Sequence, residues 1–186
     1  MAHDIVCRPA RASDVPVLQP LIERSARALS AAYYTPPEIE AALRFVFGID
    51  SMLIADETYF VAERDGIALG CGGWSYRATL YGGDQRPMGG ADRLDPRRHP
   101  ARIRAFFVAP EAARQGVGRK LLGVCEAAAR AAGFRSLELM ATLPGVPFYA
   151  ALGFEAVQDV TDTLPNGVAL RFVRMRRDLR VGAASP

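Results

Sequence analysis

The chain has 186 residues and a formal net charge of +3, and half of its residues are hydrophobic. A chain of this length is expected to form one domain with a sizeable core, and the small net charge does not favour nucleic acid as a partner. Its three cysteines, Cys7, Cys71 and Cys125, have no CxxC spacing, so neither a disulfide framework nor a metal site is predicted. The start does not resemble a signal peptide and no apolar run reaches about 18 residues, so we expect a cytoplasmic protein without a membrane span.

The first quarter of the chain predicts one short strand and two helices. The strand covers residues 5–8, and Ser13 is expected to cap the helix that follows. Thr35 and Glu38 stand three residues apart, which is the spacing of a capping box, and they open the second helix. Gly48 is expected to end that helix.

A hairpin and a long loop are predicted next. Two strands at 59–63 and 67–74 flank a turn at Asp65-Gly66. The second strand contains three glycines that indicate a bulge or a close backbone approach; they are Gly70, Gly72 and Gly73. The segment 76–100, rich in Gly, Pro, Asp and Arg, predicts an irregular loop, either functional or merely a surface connection.

The second half of the chain alternates strands and helices. A helix is predicted at 117–132, with Cys125 on its buried face, and a shorter one ends at Leu152. The predicted strands are 103–108, 136–141, 154–160 and 168–175. The resulting order, β-α-α-β-β-β-α-β-α-β-β, predicts an α/β (α+β) fold with one mixed sheet.

Residues 103–122 carry the clearest functional signal. A predicted strand runs into a loop, and Gly116 and Gly118 then open a helix. The first amide groups of a helix lack internal partners and attract anions, while glycines let the backbone approach a ligand closely. Arg114 and Arg119 add positive charge. The pattern predicts a phosphate or pyrophosphate site, with a solvated helix start as the alternative.

Two other nucleotide-binding motifs fit this stretch poorly. A P-loop needs Gly before its lysine and Ser or Thr after it, whereas Lys120 lies between Arg119 and Leu121. A dinucleotide motif needs a third small residue where Leu121 stands, although Glu138 lies about 20 residues beyond, at the position of an acidic ribose ligand.

Residues 103–122 resemble motif A of the GNAT superfamily of N-acetyltransferases. In that motif a strand and a proline precede [Q/R]-x-x-G-x-G/A, which opens a helix. Residues 147–154, PFYAALGF, resemble the FYxxLGF signature of the same family, and the two motifs stand at the usual distance. The resemblance covers roughly residues 4–178, so we expect a domain at 1–178 and a tail at 179–186.

The resemblance implies acetyl-CoA as acyl donor and no metal. The pantetheine arm would lie along the backbone of Phe106, Phe107 and Val108 like an added strand, in a mostly antiparallel sheet splayed to admit it. The pyrophosphate would bind the backbone of the segment Arg114, Gln115, Gly116, Val117, Gly118 and Arg119. The sequence departs from the family at Ala113, where Gln or Arg is usual, and at Thr142, where many relatives have Asn.

The resemblance also implies that Tyr149 is the general acid. Amine attack on a thioester expels a thiolate, and a phenol of pKa about 10 can supply the proton; a half-buried aromatic is the alternative. Glu138 is the candidate base, as in relatives resembling ribosomal-protein alanine acetyltransferases, and an ion-paired or solvent-facing carboxylate is its alternative. Weaker candidates for the base are Glu63, Asp84, Asp92 and His99.

The acceptor is expected to be a small-molecule or peptide amine, bound by the first two helices and the loop 76–100. Arginines in that loop, such as Arg97 and Arg98, favour an acidic acceptor. A non-catalytic acyl-CoA-binding module is the alternative function. Neither nucleic acid nor a membrane is expected as a partner, and a homodimer is one option for the assembly.

Overall fold

The computed structural model describes residues 4–85 and 92–179 of the chain. Most of the tail expected at 179–186 lies outside these residues, but Leu179 is buried and its amide donates to the carbonyl of Arg135. The strands are β1 (Val6–Pro9), β2 (Tyr59–Arg64), β3 (Ile67–Ser75), β4 (Ala101–Val108), β5 (Ser136–Thr142), β6 (Glu155–Thr163) and β7 (Ala169–Asp178). The helices are α1 (Val15–Ser30), α2 (Pro36–Phe45), α3 (Ser51–Ala55), α4 (Val117–Ala131) and α5 (Val146–Ala151).

The seven strands form one sheet in the order β1-β2-β3-β4-β5-β7-β6. Only β4 and β5 run parallel, and every other neighbouring pair is antiparallel. The prediction of a single mixed, mostly antiparallel sheet flanked by helices is confirmed. Helix α4 packs on β1 to β4, α1 packs on β3 and β4, and α2 packs on α1 and β7.

Several local predictions are confirmed and others are wrong at the helix ends. The capping box forms, with the Thr35 amide donating to Glu38 Oε2 at 2.7 Å. Asp14, not Ser13, stands at the N-cap of α1. Helix α2 ends at Phe45 instead of Gly48. The sequence analysis missed α3, because five residues are too few to show a helical period.

The loop predicted at 76–100 is irregular where the structure describes it, apart from a bridge between Arg77 and Arg93. Its residues 86–91 lie outside the described ranges. The segment next to this gap is anchored, since the amide of Gly83 donates to the carbonyl of Val46 at 3.1 Å.

The sheet is open between β4 and β5. These strands pair only at Ala101↔Leu137 and Arg102↔Glu138, near the start of each strand. Three residues further along β4, Ala105 has a φ of +52°, and the register between β3 and β4 shifts between Cys71 and Gly73. The bulge turns β4 away from its parallel neighbour, which is the splay expected from the resemblance.

Glycines in β3 make room for this bulge. The Tyr59 hydroxyl donates to the carbonyl of Ala105 at 3.0 Å, so the Tyr59 side chain reaches from β2 to β4 across β3. A Cβ on Gly73 would lie 2.8 Å from the Tyr59 ring and 2.7 Å from the carbonyl oxygen of Thr58, and a Cβ on Gly72 would lie 2.5 Å from the Phe106 ring. The close backbone approach predicted for this strand is confirmed, while the bulge lies opposite it in β4.

We expect Gly73→Ala to destabilise the fold by about 1–3 kcal/mol, because the added methyl group overpacks the contact between β2 and β4. Gly123→Ala is the matched control: Gly123 lies inside α4 with no atom within 4 Å of an added Cβ, so alanine there should stabilise by about 0.5–1 kcal/mol. Urea unfolding of both variants measures the two changes. Equal stability of the two variants would contradict the account of the bulge.

Candidate functional site

The gap between β4 and β5 opens into a cavity of about 640 Å³. Its walls come from β4, the segment that leads into α4, the start of α5, the end of α1, the end of α2 and residues 80–82. Both sequence motifs therefore line one cavity, although they are far apart in the chain.

The amino end of α4 forms one end of this cavity. The amide of Lys120 donates to the carbonyl of Gly116 at 3.0 Å, and the amides of residues 116–119 have no acceptor among the described residues. Gly116 has a φ of +86°, which glycine adopts without strain. Arg114 and Arg119 also line the cavity. Unpaired amides and two guanidinium groups suit a phosphate or diphosphate.

Close packing fixes this end of α4 against α5. A Cβ on Gly118 would lie 3.0 Å from the Phe148 ring, so glycine lets the two helices approach. Val117 is buried in the core, and the amides of the first turn are thereby held in place. This local arrangement follows from the glycines that the sequence analysis singled out.

The backbone of β4 beyond the bulge lines the cavity at Phe106, Phe107 and Val108. On one side β4 pairs with β3, where Phe107 lies opposite Cys71. On the other side the pairing with β5 has ended, so this edge can accept an added strand. The Val108 amide donates to Ser25 Oγ at 3.3 Å, a contact from α1 that sequence reasoning missed.

Tyr149 lines the cavity from α5 and is 8% exposed. Its ring makes edge contacts with Phe106, Phe148 and Phe154, at centroid distances of 6.5, 5.0 and 5.6 Å. Its hydroxyl makes no hydrogen bond within the described ranges. Burial raises the pKa of Tyr149, with a smaller effect from Cys125. The phenol is therefore a protonated donor held rigidly by its ring.

Glu138 does not line the cavity, and it is 2% exposed. Its Oε1 accepts from Arg174 Nε at 3.0 Å and Nη2 at 2.8 Å, while Arg102 Nη1 binds Oε2. Burial, with repulsion from Arg174 and Arg176, lowers the pKa of Arg102 to about 10. The contacts are those of an ion-paired strand carboxylate, with both oxygens occupied, and this geometry gives the base role no support.

The weaker candidates for the base also lie elsewhere. Glu63 pairs with Arg8 at 2.9 Å, and Asp84 accepts from the Ser51 amide at 2.9 Å. The described residues that line the cavity include no Asp, Glu or His.

Five further positions singled out in the sequence differ in whether they line the cavity. Gln115 is not part of the cavity wall, and its Nε2 donates to the carbonyl of Glu111 at 2.8 Å. Ala113 and Thr142, the two departures from the family pattern, both line the cavity. Arg97 and Arg98 do not line it.

Arg104 is a buried cation in the cavity wall that sequence reasoning missed. Its Nη2 donates to the carbonyl of Gly82 at 2.6 Å and lies 2.7 Å from Asp50 Oδ2, without hydrogen-bond geometry to that oxygen. Burial lowers the pKa of Arg104 and raises that of Asp50. Asp50 also accepts from the Leu53 amide at 3.3 Å, at the start of α3. Arginine within an otherwise apolar strand was the available signal.

Tyr34 ties the α1–α2 connection to the site. Its buried hydroxyl donates to the carbonyl of Arg171 at 2.6 Å and accepts from the Leu143 amide at 2.9 Å. Leu143 begins the short turn that leads into α5, the helix of Tyr149. Burial raises the pKa of Tyr34 to about 12, so the hydroxyl stays protonated and can both donate and accept.

The described residues contain neither a membrane-spanning helix nor a cluster of metal ligands. None of their helices combines the length and the apolar character needed to cross a membrane. They also contain no group of three or more His, Cys, Asp or Glu residues placed to hold a metal ion.

A protein-family model and several solved structures match this chain. The model of the Acetyltransferase (GNAT) family matches residues 22–154. A GCN5-related N-acetyltransferase from Rhodopseudomonas palustris has a similar structure, with 21% identity, 96% of this chain and 98% of that chain covered, and a TM-score of 0.68. No curated protein sequence matches the chain.

Two other similar structures contain coenzyme A or acetyl-CoA. The PaiA N-acetyltransferase from Thermoplasma acidophilum, in complex with coenzyme A, has 15% identity, 94% and 99% coverage of the two chains, and a TM-score of 0.62. A phosphinothricin acetyltransferase from Sinorhizobium meliloti, in complex with acetyl-CoA, has 24% identity, 98% and 92% coverage, and a TM-score of 0.62. At these identities the similarity shows the fold.

We expect Tyr34→Phe to destabilise the protein by about 1–3 kcal/mol, because it removes two hydrogen bonds of a buried hydroxyl, each worth about 0.5–1.5 kcal/mol. Tyr33→Phe removes the same atom from a neighbouring side chain that is 44% exposed, and should change stability by less than about 0.5 kcal/mol. Thermal unfolding of the two variants gives the comparison. Similar losses in both would show that the bridge to Leu143 contributes nothing.

Proposed function

Because the chain belongs to the GNAT family of acetyltransferases, we propose that it transfers an acetyl group from acetyl-CoA to an amine. The observation that carries the proposal is the single cavity lined both by the amino end of α4, with its unpaired amides, and by Tyr149. An anion site and a protonated acid, joined by an unpaired strand edge, are what a thioester donor with a diphosphate needs.

Different segments of this chain would bind different parts of acetyl-CoA. The amides of residues 116–119, with Arg114 and Arg119, would hold the diphosphate. The free edge of β4 at residues 106–108 would align the pantetheine arm as an added strand. The Val108 amide already has Ser25 Oγ as acceptor, so a ligand carbonyl would share or replace that contact.

The chemical step would be a direct transfer. The neutral amine attacks the thioester carbonyl, a C–N bond forms and the C–S bond breaks. Tyr149 donates its phenolic proton to the departing thiolate, and the amine gives its surplus proton to water. Holding amine and thioester together supplies much of the acceleration.

No cysteine is among the described residues that line the cavity, so they offer no thiol for a covalent enzyme intermediate. Cys71 and Cys125 are fully buried and do not line the cavity. Burial raises the pKa of Cys71 to about 12, which keeps its thiol protonated. Direct transfer is therefore the route that these residues support.

Acetyl-CoA should stabilise the purified protein against thermal unfolding. At 100 times its dissociation constant, a ligand of the folded state adds about 2.7 kcal/mol. Coenzyme A should give a similar shift, whereas NAD and ATP serve as controls and should give none. The absence of a shift at millimolar acetyl-CoA would refute donor binding and point to Ala113 and Thr142 as the cause.

Tyr149→Phe should lower kcat by about 10²–10⁴-fold, the usual contribution of a positioned acid. The acetyl-CoA thermal shift should persist, because the variant keeps the ring and its contacts. Since burial raises the pKa of Tyr149, ionisation of the phenol should not lower the kcat of the parent protein below pH about 10. An unchanged kcat in the variant would remove Tyr149 as the acid, and binding without any turnover in the parent would favour a non-catalytic acyl-CoA-binding module.

A further inference from the structure

One end of the cavity is built from aromatic and aliphatic side chains. We name this part the acceptor end and define it by Val46, Phe47, Leu80, Tyr81, Met140 and Phe172, all of which line the cavity. The Phe47 ring lies edge-on to Phe107 at 5.9 Å, and the Tyr81 ring lies 5.4 Å from Phe172. These rings belong to the segment after α2, the loop before residue 86, β4 and β7. They therefore form walls on more than one side of the acceptor end.

The described residues that line the acceptor end include no Asp or Glu, and the nearby carboxylate of Asp162, outside the lining, accepts from the Tyr81 hydroxyl at 3.1 Å. The charged side chains among the described lining residues are arginines; they are Arg104, Arg114 and Arg119. Arg114 and Arg119 flank the amino end of α4, which leaves Arg104 for the acceptor end. An acceptor with a second ammonium group would meet a like charge at Arg104 and no carboxylate among the described lining residues, since the Asp162 oxygen at Tyr81 already accepts the phenolic hydrogen.

A carboxylate on the acceptor would also add little binding free energy. Arg104 is already paired with Asp50 at 2.7 Å and donates to the carbonyl of Gly82. Asp84 contributes further negative potential at Arg104. The arginine is thus largely neutralised by its own neighbours, and taking a free carboxylate out of water has a substantial cost.

An apolar acceptor end also favours the reactive form of the amine. Desolvation disfavours an ammonium group and lowers its pKa, so more of the bound amine is the neutral nucleophile. Aromatic rings attract the ammonium form as it arrives. Water can then accept the proton, which agrees with a cavity wall that contains no carboxylate or histidine among the described residues.

We propose that the acceptor is a primary amine carried by an uncharged aromatic or bulky aliphatic group, bound by Phe47, Tyr81 and Phe172. The inference rests on the proposed function and narrows its substrate class. The reaction is the same balanced transfer, in which the amide and the free thiol are the products.

Matched amines test this proposal with acetyl-CoA as donor and thiol release as the readout. Pentylamine and 1,5-diaminopentane differ by one ammonium group, and 2-phenylethylamine and phenylalanine differ by one carboxylate. We expect kcat/KM to be at least tenfold higher for the member of each pair that lacks the additional charged group. Equal values, or a preference for either member that carries the additional charge, would overturn the proposal.

Variants of Tyr81 locate the preference in the acceptor end. Tyr81→Ala should raise the KM for 2-phenylethylamine about tenfold while the KM for acetyl-CoA changes less than twofold, and Tyr81→Phe should restore the preference because it keeps the ring. Arg97→Ala/Arg98→Ala changes two exposed side chains outside the cavity and should leave both constants unchanged. An unaffected KM in Tyr81→Ala would overturn the assignment of the site.

The experiments distinguish an error in the proposed function from an error in the acceptor class alone. Loss of the acetyl-CoA thermal shift would refute the proposed function, and this inference with it. A normal shift and turnover of charged amines alone would leave the acetyltransferase intact and refute only the acceptor class. A normal shift with no turnover of any of the four amines would also refute the acceptor class.

Discussion

The bulge of β4 at Ala105 is the constraint on which the site depends. A positive φ at an L-residue is costly, by about 1–3 kcal/mol, and persists only where its surroundings fix it. Here the Tyr59 hydroxyl binds the Ala105 carbonyl, and Gly73 leaves space for the Tyr59 ring. The bulge ends the pairing with β5 after Arg102. Without that separation a parallel ladder would close the gap in which the cavity lies.

The same separation brings distant segments to one place. One wall of the gap is β4, which runs into the amino end of α4, and the other is β5, which runs into α5 and Tyr149. Tyr34 links the second wall to α1 through Leu143, and Arg104 links the first wall to α3 through Asp50. Each wall is therefore fixed to a helix outside the gap, so the amides of α4 and the phenol are held in place before a ligand binds.

Local signals in the sequence predicted the parts of the site that depend on neighbouring residues. The glycines at the start of α4, the capping box at Thr35 and the alternating strands all act within a few residues. The pairing of Glu138 with Arg102 and Arg174 depends on which strands lie beside β5, and no local pattern contains that information. Helix α3 was missed for a different reason, because its five residues are too few to show a helical period even though Asp50 caps it.

The absence of a base in the described cavity wall follows from the same geometry. Glu138 lies on β5 beside the point where β4 and β5 are still paired, so a guanidinium group from each neighbouring strand reaches its carboxylate. Both oxygens of this carboxylate are occupied by guanidinium groups, and the side chain does not line the cavity. The cavity begins only where the pairing ends, and there the walls are largely apolar. In the proposed reaction, lowering the pKa of the amine by desolvation would take the place of a dedicated base, and the acceptor that would bind best is one whose other end is uncharged.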